Sequence, residues 1–79
     1  MSQRPQKHSL TLQGHRTSIS LEPEFWQAFR DIAREKGMPL NALASEIDVS
    51  RQGDIGLASA IRLYVLTTLQ ARLKDQTDA

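Results

Sequence analysis

Arg16, Ser18 and Ser20 alternate with Thr17, Ile19 and Leu21 along a six-residue stretch. Successive side chains of an extended chain point to opposite faces, so this spacing puts one guanidinium and two hydroxyls on one side and the inward-facing set on the other. A two-stranded ribbon carrying such a face fits the major groove of B-form DNA, where arginine donates twice to guanine and serine donates or accepts at several base edges. The same alternation also describes an ordinary solvated strand face, and the pattern alone leaves both open.

Little else in the chain could do chemistry. Cysteine is absent, His8 and His15 lack metal-ligand spacing, and no glycine-rich phosphate loop occurs. Glu22 with Glu24 and Glu46 with Asp48 are carboxylates two residues apart, a spacing that separates side chains on a helix. Neither an enzyme nor a metal or cofactor site is expected.

The 79 residues allow one domain, and a chain of this size buries only about 60% of its unfolded surface. Without disulfides or a thiolate metal site, pairing with a second copy is the expected way to enlarge the core. The apolar runs are too short to span a membrane, and the polar start Met1 to Lys7 does not resemble a secretory signal, so a soluble cytoplasmic protein is expected. Net charge is +1, yet Arg4, Lys7 and Arg16 fall in the first twenty residues, which hold no Asp or Glu. The positive charge therefore gathers around the tail and the first strand, either as a basic face or as a solubilising tail.

Elements able to position the alternating face can be read from periodicity. Residues 1–8 are polar and read as a flexible basic arm. Leu10 and Leu12 sit at even positions, Ile19 and Leu21 at odd ones, so the phase breaks between them, with Gly14 the natural turn or bulge. Extended pieces are expected at 9–12 and 15–21. A helix opens near Glu22 and Pro23, with Phe25, Trp26, Ala28, Phe29, Ile32 and Ala33 on one face and Gly37 as its stop. A second helical segment is expected at 39–49 and a loop near 50–54. The last helix, from Ile55 or Leu57 to Leu73, is apolar around most of its circumference, which suggests contact both with its own subunit and with a partner. A folded domain at 9–73 and a short tail at 74–79 complete the outline.

Strand, amphipathic helix and further helix in this order, with Gly14-His15-Arg16-Thr17-Ser18-Ile19-Ser20-Leu21-Glu22-Pro23-Glu24-Phe25-Trp26 at the join and Ser59-Ala60-Ile61-Arg62 near the last helix start, resemble the ribbon-helix-helix family of bacterial DNA-binding proteins. The resemblance spans about residues 9–69. It implies a mainly α fold with one short β-ribbon, an intertwined homodimer whose two-stranded antiparallel sheet forms between subunits. It also implies base reading by Arg16, Ser18 and Ser20, and a dimer core that includes Ile19, Leu21, Phe25, Phe29, Ile61 and Val65. Backbone amides at the start of the second family helix hold a phosphate. Two helix starts compete for that role here, near Leu40-Asn41 and near Ala58-Ser59, and the latter is the better match.

Arg4, Lys7 and His15 are further candidates for phosphate contact, although His15 beside Gly14 also suits a turn. Arg62 is a candidate at the helix start or a partner for an acid such as Glu46. Trp26 reads as a packing residue more readily than as a ligand platform. The expected function is sequence-specific binding of double-stranded DNA as a homodimeric repressor. The alternative is a dimeric adaptor or antitoxin-like module that binds a protein, though the short tail leaves little to wrap a partner.

Overall fold

The computed structural model describes residues 4–51 and 55–77. In chain order they form strands β1 (Gln6–Leu12) and β2 (His15–Leu21), then helices α1 (Pro23–Glu35), α2 (Leu40–Ser50) and α3 (Leu57–Thr77). The phase break at Gly14 is a chain reversal. Gln13 and Gly14 have φ of 52° and 83°, the positive values that a two-residue hairpin turn of type I′ requires at both central positions. β1 folds back antiparallel on β2 with Leu12 opposite His15 and Gln6 opposite Leu21.

This hairpin bears on two expectations. The two-stranded antiparallel sheet is present, but both strands come from one chain, because a two-residue turn brings a local partner to β2 at minimal loop-closure cost. The segment expected as a basic arm also overlaps β1. Gln6, Lys7 and His8 belong to β1, and the His8 ring stacks on Trp26 of α1 with centroids 3.7 Å apart. That contact accounts for Trp26 as a packing residue, and its ring also meets Phe29 in a tilted pair with centroids 6.1 Å apart.

The turn supplies a stability test. An added Cβ at Gly14 would meet nothing within 4 Å, so Gly14→Ala costs only the left-handed backbone, about 1–2 kcal/mol. Gln13→Asn, which restores the favoured Asn-Gly pair, should stabilise by a few tenths of a kcal/mol. Thermal unfolding should place the two melting temperatures on opposite sides of the parent, and equal values would remove the turn as a determinant of the fold.

α1 begins where expected. Pro23 occupies the opening turn, and the Trp26 amide donates to the Glu22 carbonyl at 2.9 Å. It ends in a Schellman closure: the Gly37 amide donates to Arg34 O and the Met38 amide to Ala33 O, with Gly37 at φ 67°. α2 runs one residue later than expected, and α3 continues past Leu73 to Thr77, so most of the anticipated tail is helix. Of the loop expected near 50–54, Ser50 ends α2, Arg51 is extended and residues 52–54 lie outside the described residues.

The core lies between the hairpin's inner face and the three helices. Leu10, Leu12, Ile19 and Leu21 meet Phe29 and Ile32 of α1, Leu43 and Ile47 of α2, and Ile61 and Val65 of α3. Of the residues expected in a dimer core, Ile19, Leu21, Phe29, Ile61 and Val65 are thus buried within a single chain, and Phe25 packs half-buried against them. The inner face of β2 is covered without a second copy. Among the large apolar residues left exposed are Leu63 at 52%, Leu66 at 48% and Leu69 at 39% on the far side of α3, together with Val49 at the end of α2, Ile55 and Leu73.

Candidate nucleic-acid interface

Because Ile19 and Leu21 are drawn into the core, strand alternation turns Arg16, Ser18 and Ser20 outward, and all three are exposed. Thr17, on the inner face, is half-buried. Leu10 and Leu12 do the same for β1, so Lys7, Ser9 and Thr11 share the outward face. The register sets Lys7 opposite Ser20, Ser9 opposite Ser18 and Thr11 opposite Arg16. The result is two rows of polar side chains with a cation at each of two diagonal corners. No carboxylate interrupts it, since the first acidic residue of the chain is Glu22.

Ser9 and Thr11 were not among the residues expected to face a ligand. Their signal was the even parity of Leu10 and Leu12, which points the odd residues outward once β1 is recognised as the partner of β2. Lys7 has the same origin and belongs to the strand face rather than to a loose arm. Arg4 precedes β1 and is exposed.

The hairpin's backbone edges are held at opposite ends. In a two-residue hairpin the pair flanking the turn is hydrogen-bonded, so the amides and carbonyls of the pairs Thr11–Arg16, Ser9–Ser18 and Lys7–Ser20 point away from the ladder. The Thr11 amide donates to Asn41 Oδ1 at the start of α2, 3.2 Å away. On the other edge the Ser20 carbonyl accepts from Arg62 Nη2 of α3 at 3.2 Å.

Arg62 also donates through Nε to Glu22 Oε1 at 2.9 Å and through Nη2 to Glu22 Oε2 at 3.3 Å. Its acidic partner is therefore Glu22, not Glu46, and this fork pins α3 to the strand-to-helix join. The Arg62 hydrogen bonds hold the Glu22 carboxyl below its ordinary value of 4.5, aided by a backbone hydrogen bond. A depressed folded-state pKa stabilises the fold above the unfolded value and is lost as pH falls through the folded one. Glu22→Gln should accordingly flatten the acid side of the stability curve, seen as a smaller loss of melting temperature between about pH 5 and pH 3. An unchanged acid slope would remove Glu22 as a contributor.

Of the two competing helix starts, that of α2 lies against β1 through Asn41, as above. At the start of α3 the Ala60 amide donates to the Gly56 carbonyl at 2.9 Å, while Ala58 is half-buried and Ser59 exposed. Leu57 borders a cleft of about 260 Å³ together with Leu12, His15, Thr17, Asp48 and Arg51. His15 and the start of α3 thus lie on one cleft at the turn end of the hairpin. Arg51 is engaged there by Asp48 at 2.6 Å and by the Ile55 carbonyl.

Among the described residues no helix is long and apolar enough to cross a membrane. A family model described as a ribbon-helix-helix domain matches residues 5–69. No curated protein and no solved structure matches the chain.

Proposed function

The chain belongs to the ribbon-helix-helix family, a DNA-binding fold of transcriptional regulators without catalytic machinery, and from that premise we propose that it binds double-stranded DNA sequence-specifically, as a homodimeric repressor associated with the nucleoid. The observation that carries this reading is the exposed row Arg16, Ser18 and Ser20, presented by β2 opposite its buried Ile19 and Leu21. These side chains supply direct readout of base edges in the major groove. Arg4, Lys7, His15 and the α3 start at Ala58 and Ser59 supply phosphate contacts that fix register and orientation. The cleft shared by His15 and Leu57 supports pairing the last two, because it sets the strand start beside the helix start.

The second copy docks on α3. Leu63, Leu66 and Leu69 form an apolar stripe on a helix whose opposite side is already buried, and a helix apolar on two sides has two neighbours. α3 flanks β2 through Arg62 and Ser20, so a copy seated on the stripe also meets the free edge of β2.

A random-oligonucleotide selection with the purified full chain tests the function. Enrichment of a site with two-fold symmetry is expected, with an affinity that falls steeply with salt through counterion release. Failure to enrich any sequence at moderate salt overturns it. That failure would favour a protein partner, for which Val49, 71% exposed at the end of α2, marks a candidate surface.

A further inference from the structure

The ribbon of this fold is expected to contain one strand per subunit, yet each chain here already carries two. If β2 meets its symmetry mate, the sheet offered to DNA has four strands in the order β1, β2, β2 of the partner, β1 of the partner. The arrangement of the helices favours β2 at the centre. α2 lies on the β1 edge, where Asn41 Oδ1 accepts from the Thr11 amide, whereas α3 with its exposed leucines lies on the β2 edge, where among the described residues only the Ser20 carbonyl is occupied. The outward-pointing backbone groups of Arg16 and Ser18 are left to pair.

Neighbouring strands lie about 4.8 Å apart, so the outer strands of a four-stranded sheet are about 14 Å apart. The major groove is about 12 Å wide. The central pair fits within it, but the outer pair does not and must lie over its walls, where the phosphates run. From this mismatch, and resting on the DNA-binding reading above, we infer that Lys7, Ser9 and Thr11 of β1 form a phosphate-binding row that flanks the base-reading strand.

The chemistry of the row suits that position. One ammonium and two hydroxyls can each donate to a phosphate oxygen, neither strand carries an acidic residue, and all three are exposed and held at fixed spacing by pairing with β2. Lys7 lies opposite Ser20 and Thr11 opposite Arg16, so each end of the row stands one strand outside a base-reading residue. The row would add affinity and register without adding sequence information.

The test measures binding of the full-length protein to its selected duplex and to a shuffled duplex over a range of salt, with the parent, Lys7→Ala, Ser9→Ala combined with Thr11→Val, and Arg16→Ala. Lys7→Ala should weaken both duplexes by the same factor, roughly three- to tenfold. It should also reduce the salt slope by about two, one phosphate per protomer. The hydroxyl variant should weaken both duplexes equally and leave the slope unchanged. Melting temperatures close to the parent confirm that the exposed substitutions leave the hairpin intact. The inference is overturned if either β1 variant changes the ratio between the two duplexes as Arg16→Ala does, since β1 would then read bases. It is equally overturned if both leave affinity and slope unaltered while the parent binds. A parent that binds neither duplex overturns the DNA-binding reading itself, and the phosphate row with it.

Discussion

Arg16→Ala is expected to weaken binding to the selected duplex by about 1–3 kcal/mol and to flatten preference at one base position of each half-site. The size follows from geometry. A bidentate arginine contact to guanine carries both charge and direction, and only the directional part distinguishes one base from another. Arg16 is free to make it, because among the described residues it takes part in no ion pair and its strand holds it outward.

Arg62 is the informative contrast, being the same residue type with its fork already on Glu22 and the Ser20 carbonyl. Arg62→Ala should lower the melting temperature with little change in base preference, the reverse of Arg16→Ala. Relative affinities over a panel of single-base variants separate the two effects. If Arg16→Ala lowers affinity equally on every variant, Arg16 is a phosphate contact and the reading face has been placed wrongly.

The strand-to-helix join was legible because three local signals agree there: period-two alternation over 15–21, Pro23 at the first helical position and the apolar face of α1. Each acts within a few residues, so no tertiary information is needed to read it. β1 was legible only in part. Leu10 and Leu12 disclose its inner face, but Gln13-Gly14 lacks the asparagine that most strongly marks a type I′ turn, and the polar residues Gln6 to His8 give no apolar signal. His8 is also held by its stack on Trp26, a contact eighteen positions away that no local pattern reports. Arg62 is a similar case. Its partner Glu22 lies forty residues away, brought close by α3 crossing the join.

The apolar excess of α3 was plain in the sequence, but which residues were surplus was not. Ile61 and Val65 face the chain's own core at 0% and 2% exposure, while Leu63, Leu66 and Leu69 face away. Only the packing direction of α3 could divide them. That division also transfers the case for a dimer from the inner face of β2, which its own chain covers, to the outer face of α3.

The double substitution Leu63→Glu with Leu66→Glu should therefore convert a dimer to a folded monomer. Both leucines are about half exposed, so burying the remainder in an interface contributes roughly 1 kcal/mol each. Two-fold symmetry doubles every contact, so the two positions carry about 4 kcal/mol, near a thousandfold in the dimer dissociation constant. Charge repulsion between the introduced carboxylates adds to this. The fold of one chain should survive, because neither side chain belongs to the core and glutamate is a good helix former. Sedimentation velocity should show the parent as a dimer and the variant as a monomer at the same concentration, with unchanged helical circular dichroism. Duplex affinity should fall with it, since a monomer presents one half of the reading face. A parent that sediments as a monomer even at high concentration, or a variant that remains a dimer, would place the interface elsewhere than on α3.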